Sequence, residues 1–539
     1  MIKQTNKKIA DKKIGNGFLS GVFILSVSTV IVKVIGLACK IPLISLLGAE
    51  GMGYFNSALE IHALLCVIST AGLPVALSML VSACRERNDG VGIRKIWRTA
   101  FALFLLLGGV GALILSCFAP AISKGVGNPD AAASVAAIAP SLLFVCFASA
   151  VRGYFQGFGH MTPTAISQLI EALGKLIFGV LFAYFALDSG TSLPLAAAYS
   201  VFGITLGTAL SALYLLISKA RNRRYNIEVS KPQILPRKEQ KTVSTLLKIA
   251  FPITVSSAVL SVTRMIDMSL ILRRLSDIGV SSSRANEIFG SYTTLALPVF
   301  SLVPSLITPI ALSLVPQLSA AIEKRSSDGQ GRVLSDSMRL TVLFAIPSSM
   351  GIALYARPIL SILFSGQYEA IDIAAPLLSI LGGSVLFSCV ITTTNAILQS
   401  YRKTVLPIIS MAVGSAVKIV SAYILIGIED IGVYGAPIST FLCNVCITAM
   451  NLYFISGVFK GDGILKIWGR PFVASLGGIL LSLAAYIPLT SLLGSETLGF
   501  MIVLPIALIG YFAFAVLTRA ITKDDLLLLP FVKNKSNNK

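Results

Sequence analysis

The chain has 539 residues, 55% of them hydrophobic and 13% charged, with a mean hydropathy of +0.83. Soluble globular proteins carry roughly 25% charged residues, so this composition excludes an ordinary soluble enzyme and a disordered chain; it describes an all-α polytopic membrane protein. Lysine and arginine number 44 against 24 acidic residues, a formal charge of +20. In a soluble chain that would suggest a nucleic-acid partner, but here the charge has to be located first.

A helical span needs about 20 mostly apolar residues. Five lysines (Lys3, Lys7, Lys8, Lys12 and Lys13) precede the first such run, 18–47, which is long and lacks an A-x-A cleavage site, so it reads as a span rather than a removed signal. Runs at 56–81, 99–119, 132–151, 164–187, 193–217, 249–272, 291–317, 340–356, 373–399, 404–427, 433–458, 471–490 and 498–518 bring the expected number to fourteen. The domain plan that follows has a basic tail (1–17), an N-terminal lobe of spans 1–6 (18–218) and a basic linker (219–248). A C-terminal lobe of spans 7–12 (249–458), two additional spans (459–518) and a second tail (519–539) complete it. The runs are continuous rather than alternating, which excludes a β-barrel. The linker is too short for a catalytic domain, so neither an enzyme activity nor a cofactor is expected.

Most of the positive charge is orientation signal. Alternate loops and the two tails hold 34 of the 44 basic residues, Arg152 counted among them, whereas the opposite loops hold five. This bias places both termini in the cytoplasm and offers anionic lipid headgroups a surface at the cytoplasmic loops. The eight cysteines lie in or beside spans; Cys443 and Cys446 form a C-x-x-C spacing without a second ligand pair, so packing is expected and no metal site.

Two matches suggest an internal duplication. Pro74-Val-Ala-Leu-Ser-Met-Leu-Val81 resembles Pro309-Ile-Ala-Leu-Ser-Leu-Val-Pro316, and Gln156 precedes Lys175 by the nineteen residues that separate Gln399 from Lys418. Duplicated six-span lobes meeting around a central cavity are an architecture of secondary transporters. Pro74, Pro309, Arg152, Gln156 and Gln168 are taken as gate or motif positions.

The remaining five basic residues, Lys33, Lys40, Lys175, Arg264 and Lys418, lie inside spans, where exposure to lipid costs about 2.5–3.5 kcal/mol each. Glu60, Glu171 and Asp267 lie there too, as possible ion-coupling or charge-pairing groups, with local pairs expected between Glu171 and Lys175 and between Arg264 and Asp267. His62 reads as a packing histidine. Lys33 and Lys40 share one helical face and have no acidic neighbour in their own span. The balance inside the membrane is positive, which favours an anionic substrate; phosphate or pyrophosphate is the class that lysine and arginine commonly bind.

Lys33-Val-Ile-Gly-Leu-Ala-Cys-Lys40-Ile-Pro-Leu-Ile-Ser-Leu-Leu-Gly48-Ala-Glu-Gly-Met-Gly-Tyr54 resembles the stage V sporulation protein B family. So do Ser69-Thr-Ala-Gly-Leu-Pro-Val-Ala-Leu-Ser78, Arg152-Gly-Tyr-Phe-Gln-Gly157 and Met161-Thr-Pro-Thr-Ala-Ile-Ser-Gln168-Leu-Ile-Glu171. That family belongs to the multidrug/oligosaccharidyl-lipid/polysaccharide exporter superfamily, with the bacterial lipid II flippases. The resemblance implies a two-lobed fold in the bacterial plasma membrane that flips undecaprenyl-pyrophosphate-linked sugars by alternating access. It implies a pyrophosphate contact at Lys40 and a basic position at Lys33; the flippases have Arg-Asp where this chain has Cys39-Lys40. The last two spans match helices that form a lipid-tail groove in those flippases. A cation-coupled multidrug exporter using Glu60, Glu171 and Asp267 is the alternative, and a membrane scaffold for cell-wall synthesis enzymes is a third class. No nucleic acid is expected as a partner.

Overall fold

A computed structural model describes the backbone of residues 2–520 except 88, 222–241, 324–326 and 457–463, and side chains from Ser28 onward outside a few helical positions. Most of the basic linker and the carboxy-terminal tail, where anionic lipid headgroups are expected, therefore lie outside the described residues, as do the side chains of the amino tail.

The described residues are almost entirely helical. In chain order the helices are α1 (Ile2–Thr70), α2 (Gly72–Glu86), α3 (Gly90–Gly125), α4 (Ala132–Ile138), α5 (Ser141–Gly157), α6 (Thr162–Asp188), α7 (Leu193–Arg221) and α8 (Thr242–Asp277). Then come α9 (Ser282–Ser291), α10 (Leu297–Glu323), α11 (Ser327–Leu354), α12 (Ala356–Leu363), α13 (Tyr368–Ser400), α14 (Val405–Ile426), α15 (Gly435–Ser456), α16 (Ile464–Leu493) and α17 (Glu496–Leu517). Among the described residues, twelve stretches are long and apolar enough to cross a membrane, or thirteen if a pair bent by 41°, Pro129–Ile138 with Ser141–Gly157, forms one span.

The expected count of fourteen is not confirmed. Most of the run 18–47 and all of 56–81 share one stretch, Ser28–Arg85, of 58 residues, and the run 132–151 lies within the bent pair. A straight helix of that length would extend about 87 Å, nearly three times the hydrocarbon thickness. It is not straight: Gly48 takes φ 65° and ψ 179°, a conformation strained for any residue with a Cβ, and turns the chain there.

The chain forms two compact units, Met1–Gly290 and Ser291–Lys539. In the first, α8 packs on α1 and α2, and a core of Leu73, Leu77, Phe104, Cys146 and Tyr154 joins α2, α3 and α5. The closest helix pair there is α6 with α7. Gly174 faces Gly207, and a Cβ on Gly207 would stand 2.8 Å from the Lys175 nitrogen and 3.0 Å from the Glu171 carbonyl oxygen. Small residues of this kind let membrane helices approach backbone to backbone. In the second unit α10, α11, α13 and α15 share a core that includes Leu314, Leu334, Met338, Val390 and Ile455, and α16 pairs with α17 and leans on α11.

Polar side chains tie α13, α14 and α15 together. Asn451 is fully buried; its amide donates to Thr394 Oγ1 (3.0 Å) and Asn395 Oδ1 (2.9 Å), and its Oδ1 accepts from Ser410 Oγ (2.7 Å). An Asn451→Leu variant leaves those partners buried without it and is expected to lose about 2 kcal/mol of stability, read as a lowered unfolding midpoint in detergent.

Candidate substrate cavity

The polar cavity of the first unit, about 380 Å³, opens between α1, α5, α6 and α7. Thr29, Val32 and Gly36 of α1 form one wall; His62, Arg152, Gln168, Glu171 and Lys175 supply its polar groups. Gln168, Glu171 and Lys175 recur every three to four residues on α6, which is why one helix face delivers all three.

Arg152 is the most constrained of these groups. Its Nε donates to Ser167 Oγ (2.9 Å), and its Nη2 donates to Glu171 Oε2 (2.8 Å) and Ser211 Oγ (3.0 Å). Ser211 Oγ in turn donates to the Ser167 carbonyl (2.9 Å). Three helices, α5, α6 and α7, thus grip one guanidinium. This corrects two readings. Arg152 is not a loop charge serving orientation: it sits within α5 with its side chain 14% exposed. The apolar run 132–151 stops at its first charge, but a paired charge is tolerated inside a helix. Glu171 pairs with Arg152 rather than with Lys175: Nη2 of the α5 guanidinium donates to its Oε2 at 2.8 Å, a charge-assisted hydrogen bond between helices, whereas no ion pair joins Glu171 to Lys175 among the described residues.

Lys175 consequently has no ion-pair partner among the described residues; its Nζ lies 5.8 Å from the centre of the Phe55 ring. His62 is buried, with Nε2 2.6 Å from Ser141 Oγ and the Cys66 sulfur 3.3 Å from Nε2. It packs as expected and also forms part of the cavity wall. Gln168 Oε1 is buried and finds no hydrogen-bond donor among the described residues. Arg152 and Lys175 face the one carboxylate of Glu171, so two cations stand against one anion in the wall.

Lys40 is half-buried on α1 and stands within electrostatic reach of Lys175 and Glu60. Lys33 is exposed one heptad earlier, on the face that carries Thr29 and Gly36. Arg264 of α8 is 3.8 Å from Glu60 and donates to Ser261 Oγ at 3.1 Å, so its carboxylate partner across helices is Glu60, not merely the expected Asp267 on its own helix. Asp267 itself lies on α8. The structure therefore gathers Lys40, Lys175, Arg264, Glu60 and Glu171 in the first unit, and places Lys418 half-buried on α14 of the second.

Of the motif positions, Pro74 sits against Gly153: a Cβ there would lie 2.8 Å from the Pro74 carbonyl oxygen, so this proline marks a close helix contact. Gln156 is partly buried at the end of α5, and Pro309 is exposed on α10. None of the eight cysteines forms a disulfide, and no group of three metal-ligating side chains occurs among the described residues. The second unit has an apolar cavity of about 340 Å³ between α10, α11, α16 and α17, with Tyr355 bonded to Ser482 (2.7 Å) and Tyr511 to the Leu343 carbonyl (2.6 Å). Sequence reasoning missed Ser167 and Ser211. The repeat offers a signal for the first, since Ser410 follows Ser167 by the same 243 positions that separate Lys175 from Lys418.

Comparison with known proteins gives the following. The family model described as "Polysaccharide biosynthesis protein" matches residues 18–322, and the MatE model matches 252–424. The chain is 24% identical to stage V sporulation protein B of Bacillus subtilis (strain 168) over 96% of this chain and 98% of that protein. It is also 24% identical to the lipid II flippase MurJ of the same organism, over 75% of this chain and 76% of the relative. A solved structure of lipid II flippase MurJ in an inward closed conformation superposes with a TM-score of 0.73 at 16% identity, covering 92% of this chain and 99% of that one.

Proposed function

Because the chain belongs to the polysaccharide biosynthesis protein family, within the multidrug/oligosaccharidyl-lipid/polysaccharide exporter superfamily, we propose that it flips a lipid-linked, pyrophosphate-bearing cell-wall or polysaccharide precursor from the inner to the outer leaflet. It is a multi-pass membrane transporter and not an enzyme. The observation that carries the proposal is Lys175, a cation without an acidic partner among the described residues, in the same wall as an arginine held ready by three helices. Cations lining a cavity attract an anionic headgroup and retain it while the polyprenyl tail stays in lipid. Lys33, Lys40 and Arg264 would extend the binding surface of the first unit, and Lys418 is the substrate-binding cation of the second, in a cycle of alternating access. Both termini face the cytoplasm in this scheme. An inside-negative potential then favours outward movement of net negative charge.

The MatE match makes a cation-coupled exporter the second reading, with Glu60, Glu171 and Asp267 as its ion sites. Against it, two of the three carboxylates, Glu60 and Glu171, already face arginines, Arg264 and Arg152. The test is a proteoliposome assay with lipid II as substrate. A Lys40→Ala/Lys175→Ala double variant is expected to lose binding and flipping by on the order of 100-fold. Wild-type lipid II binding in that variant, or proton- or sodium-driven efflux of organic cations by the parent, would defeat the proposal.

A further inference from the structure

The three-helix junction around Arg152 has a counterpart in the second unit that closes without charge. Asn395 and Ser410 stand 243 positions after Arg152 and Ser167, and α15 supplies Asn451 where α7 supplies Ser211. In both junctions the serine hydroxyl also meets the carbonyl three residues back, Thr164 in one and Pro407 in the other. The position equivalent to Glu171 is Gly414, and the side chain of Ile447 covers it. A junction of this shape therefore packs with neutral groups, and exchanging a buried ion pair for neutral ones generally costs no stability. Helix packing does not account for the Arg152–Glu171 pair.

The geometry of the pair is that of an occupied anion site. Arg152 spends Nε and Nη2 on Ser167, Ser211 and Glu171, while Nη1 has no protein partner among the described residues although the side chain lies in the cavity wall. Glu171 is the more open member, its side chain 34% exposed against 14% for Arg152. Carboxylate and phosphate oxygens present a guanidinium with the same acceptor geometry. Lys175, one turn along α6, is unpaired among the described residues and within i,i+4 reach of Glu171 should the carboxylate leave Arg152.

We infer that Glu171 is an internal stand-in for the substrate's anion: its carboxylate holds Arg152 in the empty cavity, and a phosphate of the headgroup displaces it and takes its place. The inference rests on the headgroup reading above. It makes Glu171 a competitor of the substrate, not a ligand for it, so the cavity releases its cargo by the return of its own carboxylate.

Isothermal titration of the purified full chain in detergent with farnesyl pyrophosphate as the probe tests this. Glu171→Gln keeps the shape and removes the competing charge; its affinity is expected to rise about fivefold, the worth of a partly exposed ion pair. Glu171→Asp, which keeps the charge on a shorter arm and perturbs the fold least, is expected to gain about twofold. Unchanged or weaker binding in the folded Glu171→Gln variant, or weaker binding in Glu171→Asp if Glu171→Gln does not fold, overturns the inference and makes Glu171 a positioning group for Arg152. Lys175→Ala separates the two levels. If it binds the probe as well as the parent, the headgroup reading fails; if it binds more weakly while Glu171→Gln shows no gain, that reading stands and the stand-in does not.

Discussion

An Arg152→Gln variant is expected to lose lipid II flipping by on the order of 100-fold and to unfold more readily than the parent. The substitution removes the donors that satisfy Glu171, Ser167 and Ser211, so a partly buried carboxylate and two serines of α6 and α7 lose their charged partner together. Hydrogen bonds to charged groups are worth about 1.5–3 kcal/mol, and the partial exposure of Glu171 discounts this, so a loss on the order of 2 kcal/mol is expected. Adding Glu171→Gln removes the uncompensated charge. The double variant should therefore recover most of the stability and none of the transport. Thermal unfolding in detergent and flipping in proteoliposomes read the two effects separately. Full transport by the double variant would show that Arg152 serves only to neutralise Glu171.

The second large effect is steric. Gly207 lets α7 lie against α6 where α6 carries Glu171 and Lys175, and a Cβ there meets the Lys175 nitrogen and the Glu171 carbonyl oxygen. Backbone atoms of a packed helix cannot yield as a flexible side chain does, so Gly207→Val forces α6 away and carries both charged groups with it. Overpacking of this kind costs about 1–3 kcal/mol. The variant is expected to unfold at lower temperature and to lose flipping, although residue 207 bears no functional group. Gly109→Ala is the control: a Cβ at that position meets nothing within 4 Å, and the change favours the helix by about 1 kcal/mol. Its flipping should equal that of the parent. Normal transport by Gly207→Val would mean that the approach of α6 to α7 does not set the site.

Much of the architecture is legible in the order of residues because lipid imposes a simple rule on each segment alone: about 20 apolar residues make a span. The runs at 99–119, 164–187, 373–399 and 498–518 are helices for that reason. The rule is weaker for the 58 residues of Ser28–Arg85, where Gly48, a single residue with positive φ, turns the chain inside a nearly continuous apolar stretch. The intramembrane charges were equally legible, since Lys40, Glu60, Glu171, Lys175 and Arg264 stand out against apolar neighbours.

Which charge answers which was not. Spacing along one helix suggests Glu171 with Lys175 and Arg264 with Asp267, whereas the folded chain sets Glu171 against Arg152 of α5 and brings Glu60 of α1 to Arg264 as a partner from another helix. Local spacing reports only the neighbours a helix supplies to itself. Partners on other helices depend on how closely two backbones approach, and here that is governed by Gly174 and Gly207 and by serines such as Ser167 and Ser211, which no hydropathy pattern distinguishes. Composition and hydropathy thus dictate a helical membrane protein with cations in its spans. The choice of Lys175 as the unpaired cation, and of Arg152 as a gripped one, arises from contacts between helices, because electrostatic energy falls with distance in space and takes no account of distance along the chain.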